Sequence, residues 1–253
     1  MTPLDRLPVW SEAGLLFAAM LAAFELAGRL QARNVVGEGG KEAYLVSAAV
    51  GLLALLLGFT FNLALSHYDV RRTLVVQEAN AIAEVGQRID LLAPTPRSAE
   101  HAVLLRYARS RVDLARVGED PAAIARVEAA TDAEQAALWA TMTSMVPSPT
   151  AGSWLMQPLD TMFAVAVSRR AALASRIPTQ VALVLGLYAL ITAAILGYAM
   201  AYGRLRHRAM TTALFALLAI TVGLILDLDR PRNGLIHIDQ EPLQTVLARL
   251  QAG

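Results

Sequence analysis

The stretch YLVSAAVGLLALLLGFTFNLAL, Tyr44 to Leu65, contains no charged side chain. About 20 apolar residues in a helix are enough to cross roughly 30 Å of hydrocarbon, so this segment alone places the chain in the membrane class. Three further stretches follow the same logic. Val181 to Tyr202 enters after Ile177-Pro178 and leaves through Gly203-Arg204. Met210 to Leu226 has 17 residues, a length that Thr211 and Thr212 extend by bonding their own backbone. Trp10 to Ala27 carries Glu12 and Glu25 near its two ends and reads as a span or as a helix buried against the bundle. Glu25 and Arg29 stand at i, i+4 with the acid first, the order that favours mutual neutralisation at the interface.

The composition agrees. Of 253 residues, 56% are hydrophobic and 17% charged, and the mean hydropathy is +0.47, too apolar for an ordinary soluble domain. Lys and Arg number 22 against 21 Asp and Glu, a net charge of +1, so there is no overall basic field for nucleic acid. The absence of cysteine excludes disulfides, thiolate metal sites and cysteine nucleophiles. The opening MTPLDRLPVWSEAG lacks a basic n-region, so no cleavable signal peptide is expected.

The expected fold is an all-α integral membrane protein with four transmembrane helices in two hairpins, residues 10–66 and 179–226, around a helical extramembrane domain, 67–178. A tail, 227–253, is expected to pack on that domain. Val70, Leu74, Ala81, Ile82, Val85, Ile89 and Leu92 recur at helical spacing, so the second span continues outward as one long helix until Pro94 and Pro96 stop it. Ser98 is placed to cap a helix reaching about Arg116, and Asp120-Pro121 to start another that Pro147-Ser-Pro149 closes. A last helix over Gln157 to Arg176 feeds the third span, and a short one follows Pro242. Four spans put both termini and the domain on one face, with connections 28–43 and 203–209 on the other. Arg29, Arg33, Lys41, Arg204, Arg206 and Arg208 in those connections are nearly balanced by arginines on the opposite face, and the charge rule narrowly favours a cytoplasmic domain.

Three stretches carry a resemblance: GFTFNLALSHYDVRRTLVVQEANAIAEVGQRIDLL (Gly58 to Leu92), SRRAALASRIPTQV (Ser168 to Val181) and LDLDRPRNGLIHIDQEPL (Leu226 to Leu243). Together they resemble the bestrophin-like family of bacterial membrane proteins, remote relatives of bestrophins, over nearly all of residues 44–250. Glu25, Gly28 and Arg29 at the end of the first span fit as well. The resemblance implies a homo-oligomer in the bacterial inner membrane, a pentamer if the link to true bestrophins holds. It further implies an ion pathway lined by the second helices, a cytoplasmic vestibule and anion selectivity. No acidic calcium clasp follows the fourth span, only Asp227, Asp229, Asp239 and Glu241 among arginines, so calcium gating is not carried over.

Within the second span, Phe59 and Phe61 are candidates for a hydrophobic constriction, and Thr60 and Asn62 for groups that replace ion hydration. The competing reading is helix packing, with Gly58 permitting close approach and Asn62 bonding a neighbour. Arg71 and Arg72 are candidates for an anion-attracting mouth or for plain interfacial anchors. Gln77, Glu78 and Asn80 are given no chemistry. Asp227, Asp229, Arg230 and Arg232, like Glu25 and Arg29, are candidate interfacial ion pairs, and Arg169, Arg170 and Arg176 are expected to be structural. The histidines at 67, 101, 207 and 237 share no metal-ligand spacing, and Gly37-Glu-Gly-Gly40 lacks the lysine of a phosphate loop. No metal, cofactor or catalytic role is expected. The sequence therefore points to an anion-conducting oligomer, with the alternative of a non-conducting scaffold or accessory subunit whose helical domain binds a partner protein.

Overall fold

The computed structural model describes residues 9–33, 43–92, 94–118, 120–144, 149–202, 208–231 and 234–252. Over these residues the chain is helical, with no strand. The helices are α1 (Val9–Arg33), α2 (Ala43–Ile89), α3 (Pro94–Arg116), α4 (Pro121–Ser144), α5 (Pro149–Ala174), α6 (Thr179–Ala199), α7 (Arg208–Asp229) and α8 (Glu241–Ala252), with a 3₁₀ turn at 200–202. Among the described residues, four stretches are long and apolar enough to cross a membrane: Val9–Ala32, Tyr44–Ile89, Met156–Ala199 (which contains α6) and Arg208–Asp229.

By its contacts the chain divides into two units, residues 1–66 with 176–230 and residues 67–175 with 231–253. In the first unit α1 packs along α6 and α7, so α1 takes its closest backbone partners from later in the chain. Its contact with α6 is backbone to backbone. A Cβ placed on Gly197 would lie 2.1 Å from the Phe24 carbonyl oxygen, and only a residue without that atom allows the approach. Against α7, the rings of Phe24 and Phe215 meet edge to face with centroids 5.8 Å apart, an arrangement aromatic quadrupoles favour. Gly223 of α7 sits under Trp10 and Ala13 of α1. Thr211 turns its hydroxyl to the Met200 sulfur at 3.8 Å.

The second unit is a soluble-type core built on the outer half of α2. Val75, Ile82, Val85 and Ile89 are at most 2% exposed and pack with Leu104 and Tyr107 of α3, Leu138 and Met142 of α4, Leu159 and Met162 of α5, and Leu243 and Leu250 of α8. Burying each such side chain contributes roughly 1.5–3 kcal/mol, which keeps an isolated half-helix in place. Val70, assigned above to the apolar face, is instead 49% exposed, because the buried register runs through 71, 75, 78, 82, 85 and 89.

The helix ends follow elementary capping rules, with two corrections to the expected boundaries. α3 begins at Pro94 rather than at Ser98, because proline pre-sets the first-turn φ and lacks the N–H that would go unsatisfied there. α5 begins at Pro149, two turns before Gln157, and carries Pro158 inside it. Asp120 does cap α4, its Oδ1 accepting the Ala122 N–H at 3.1 Å. Asp239 does the same for α8, accepting the Glu241 N–H at 2.8 Å. The Pro147-Ser part of the expected stop, Gly37–Gly40, Lys41, Arg204, Arg206 and Arg232 lie outside the described residues.

Candidate functional site

Much of α2 stays uncovered by the chain, Leu52, Leu63 and Val70 included, and one stripe within that uncovered surface runs along the helix. Leu55, Phe59, Asn62, Ser66, Asp69, Thr73, Val76 and Asn80 are all exposed and recur at alternating intervals of four and three, so they share a face of one helix. The stripe is apolar through Phe59, 66% exposed, and from Asn62 onward it is polar except at Val76. A Cβ on Gly58 would meet nothing within 4 Å, so within this chain the glycine is not used for close packing. Thr60 is turned away: it is buried, and its hydroxyl donates to the Leu56 carbonyl at 2.7 Å. Phe61 is half-buried. Of the four residues at 59–62, the fold therefore presents Phe59 and Asn62 outward.

The two arginines that follow have different fates. Arg72 is exposed. Arg71 is 2% exposed, and its guanidinium donates to the Ala172 carbonyl at 3.0 Å and the Ser175 carbonyl at 2.5 Å. Those carbonyls belong to the last turn of α5 and the residue after it, which a helix leaves without partners and where a cation is favoured by the dipole. The charge of Arg71 is thus committed to closing α5.

Seven residues further along α2, on the same buried face, Glu78 is 0% exposed and forms the centre of a polar network. One carboxylate oxygen accepts from Arg111 Nε of α3 at 2.5 Å, and the other accepts from Arg169 Nη1 of α5. Arg169 Nη2 continues to Gln240 Oε1 at 2.8 Å. A single carboxylate therefore ties α2, α3, α5 and the residue before α8. Burial lowers the basicity of the Arg169 guanidinium, and Glu78 works against that. The Tyr107 phenol is pushed up to about 12, by burial first and by the Glu78 charge second. The sequence reading missed Glu78. The available signal was its register: at i, i+4, i+7 and i+11 it precedes Ile82, Val85 and Ile89 on one face.

At the other end of the unit containing α1, α6 and α7, the charged stop after the last long apolar helix is organised rather than dispersed. Arg230 Nη2 meets Glu12 Oε1 of α1 at 2.6 Å. Both Asp229 carboxylate oxygens lie 3.0 Å from the Ile177 N–H, just ahead of α6, and the Asp229 carbonyl accepts from Arg176 at 3.5 Å. Asp227 is 2% exposed. Glu25 meets Arg208 of α7 at 3.7 Å rather than the exposed Arg29 of its own helix, because α7 brings the other cation alongside. Among the described residues no three His, Asp or Glu side chains gather in a way that would hold a metal ion.

The Bestrophin-like domain matches residues 14–243. Among solved structures, the chain is similar to a variant of a bacterial bestrophin homolog from Klebsiella pneumoniae, with a TM-score of 0.69 at 16% identity, covering 96% of this chain and 98% of that one. Another crystal structure of a bacterial bestrophin homolog from the same organism, phased with zinc, gives 0.69 at 16% identity over 95% and 96% of the two chains. A third, described as a membrane protein variant, gives 0.68 at 16% identity over 96% and 97%. No curated protein sequence matches.

Proposed function

This chain belongs to the bestrophin-like family and is a multi-pass membrane protein, and from that premise we propose that it assembles as a homo-oligomer whose α2 helices line an ion pathway selective for anions. The observation that carries the reading is the exposed stripe of α2, which changes from apolar at Leu55 and Phe59 to polar at Asn62, Ser66 and Asp69. A helix surrounded by lipid alone has no use for a polar run that begins within its apolar stretch, whereas a helix facing a water-filled axis does. Phe59 is the constriction on that face and Asn62 the first group able to take the place of ion hydration. Thr60, turned inward, supports the helix, and Phe61 borders the constriction. Arg72 provides the positive mouth.

Asp69 favours a second reading in which the same pathway passes cations. It stands on the exposed stripe one helical turn from Arg72, while the charge of Arg71 is spent on α5, so the sign of the mouth rests on the balance between Asp69 and Arg72. The remaining alternative is a scaffold without conduction that binds a partner through the helices of residues 67–178. The domain division, the cytoplasmic placement of that segment, the inner-membrane location and a pentameric count are part of the proposal.

The deciding experiment is reconstitution of the purified chain in liposomes under a salt gradient, with native mass spectrometry on the same sample. A ring-forming oligomer whose reversal potential follows chloride supports the anion pathway, and one following sodium or potassium selects the Asp69 reading. A monomer or dimer without flux removes the pathway and leaves the scaffold.

A further inference from the structure

The face that α4 turns to α3 changes in bulk along its length. Positions 123, 127, 130, 134, 138 and 142 recur at helical spacing and so share that face. At the far end it holds Leu138 and Met142, both 0% exposed and part of the core. At the near end it holds Ala123, Val127 and Ala130. Two alanines stand where the core uses large side chains, and the volume they leave is a cleft of about 350 Å³ that opens to solvent on one side. Ala123, Val127 and Ala130 line it from α4. Val117, whose N–H bonds the Asp113 carbonyl at 3.1 Å, lines it from the end of α3.

Three polar side chains complete the lining: Ser110 and Asp113 of α3, and Arg126 of α4. The single Ser110 proton goes to Glu134 at 2.7 Å or to the Arg106 carbonyl at 3.2 Å, so the hydroxyl serves the cleft as an acceptor. Asp113 stands 3.8 Å from Arg116 of its own helix, with both side chains more than half exposed, a pairing worth little in water. Arg126 donates through Nε to the Ala122 carbonyl of its own helix at 3.4 Å. Among the described residues, no ion pair joins Asp113 to Arg126, although both line the one cleft. A carboxylate and a guanidinium therefore flank an apolar floor without neutralising each other.

We infer that this cleft binds a small zwitterion with an aliphatic side chain, of the α-amino-acid class. The Arg126 fork suits a carboxylate, and Asp113 with the Ser110 oxygen suits an ammonium. The four aliphatic side chains of the floor take up the apolar part. The volume lies at the lower end of the range for ligand sites, roughly 300–1,000 Å³, which calls for a molecule well below drug size. A molecule with one charge fits less well: a lone carboxylate meets Asp113 as a like charge, and a lone amine meets Arg126 so. The site lies between α3 and α4 alone and is independent of conduction along α2.

The test is equilibrium dialysis of the intact purified protein in detergent against radiolabelled L-leucine. Wild type should bind it with a dissociation constant on the order of 0.1 mM. Isocaproate, which lacks the ammonium, and isoamylamine, which lacks the carboxylate, should compete about tenfold more weakly, as should glycine, which lacks the aliphatic part. Asp113→Asn and Arg126→Gln, both exposed, should each weaken leucine binding about tenfold with the unfolding midpoint unchanged. Arg126→Lys should restore part of the affinity, and Ala130→Leu should fill the floor and abolish binding in a folded protein. No leucine bound by wild type at about 10 mM, competition by either single-charge analogue as strong as by leucine, or binding that survives both Ala130→Leu and Arg126→Gln would each overturn the site. Loss of ion flux with leucine binding intact refutes the pathway and not this site.

Discussion

Gly197 of α6 and Phe24 of α1 meet through their backbones: a Cβ added to the glycine would lie 2.1 Å from the Phe24 carbonyl oxygen and 2.8 Å from its carbonyl carbon. The obstacle is main chain, which cannot swing aside as a side-chain tip does. Gly197→Ala should therefore push the two helices apart and cost about 3 kcal/mol, the upper end of overpacking effects. Gly58→Ala, where the new methyl meets nothing within 4 Å, serves as its control. Unfolding in detergent should separate the two variants. Equal stability of both would show that α1 and α6 are not packed this closely.

Glu78 should be among the least replaceable residues in the chain. Glu78→Ala leaves Arg111 and Arg169 buried side by side without their shared carboxylate, a loss of about 3–5 kcal/mol. Glu78→Gln keeps the shape but removes the charge and should be nearly as damaging. Removing one guanidinium as well, with Glu78→Gln combined with Arg111→Met, brings the net charge of the cluster back from +2 to the wild-type +1 and should recover part of the loss, which a double-mutant cycle in urea would measure.

Arg71 offers a subtler measurement, because its role depends on reach as well as charge. Arg71→Ala should cost about 2–3 kcal/mol through two lost charged hydrogen bonds to the end of α5. Arg71→Lys keeps the dipole interaction but presents a single ammonium point in place of the fork that spans Ala172 and Ser175. It should restore about half. Arg72→Gln, exposed, should leave stability unchanged within roughly 0.5 kcal/mol and change ion flux only.

Stability should depend on pH through Glu100. Burial raises its carboxyl above the ordinary 4.5, and Thr141 pulls it down less; the Thr141 hydroxyl itself is engaged by the Ala137 carbonyl. The folded state therefore holds the Glu100 proton more tightly than the unfolded chain does. Its contribution is fully favourable below the unfolded value and is lost as pH rises through the folded one. Glu134, raised by burial against its hydrogen bond from Ser110, adds in the same direction. Glu100→Gln should flatten the fall in unfolding midpoint as pH rises above the ordinary 4.5, and an unchanged slope would assign that pH dependence elsewhere.

What was legible in the sequence and what was not divides along a physical line. The length of α2 was legible because an uncharged run over Tyr44 to Leu65 passes, with no proline between, into a face of helical period that Pro94 ends. The cap at Asp120-Pro121 was legible because it acts over two residues. The partners of charged groups were not. Arg71 and Arg72 are adjacent in sequence and equal in chemistry, yet one closes α5 from 101 residues away and the other faces outward. Glu78 reaches Arg111 across 33 positions and Arg169 across 91, separations at which local pattern carries no information. Glu25 failed for the same reason, its local partner Arg29 losing to Arg208.

The position of α8 has a consequence for how the protein is made. Leu243, Val246 and Leu250 fill the core between α2 and α3, where Gly86 leaves room for the Leu250 methyl group, 3.2 Å from where a Cβ would stand. That core is begun by residues 67–175 but lacks its last wall until translation has also delivered α6 and α7. A ribosome-bound chain halted anywhere before α8 exposes an unfinished apolar surface, which proteases and chaperones recognise. Quality control of this protein is thereby tied to the synthesis of α8, whatever the order in which its apolar segments enter the bilayer.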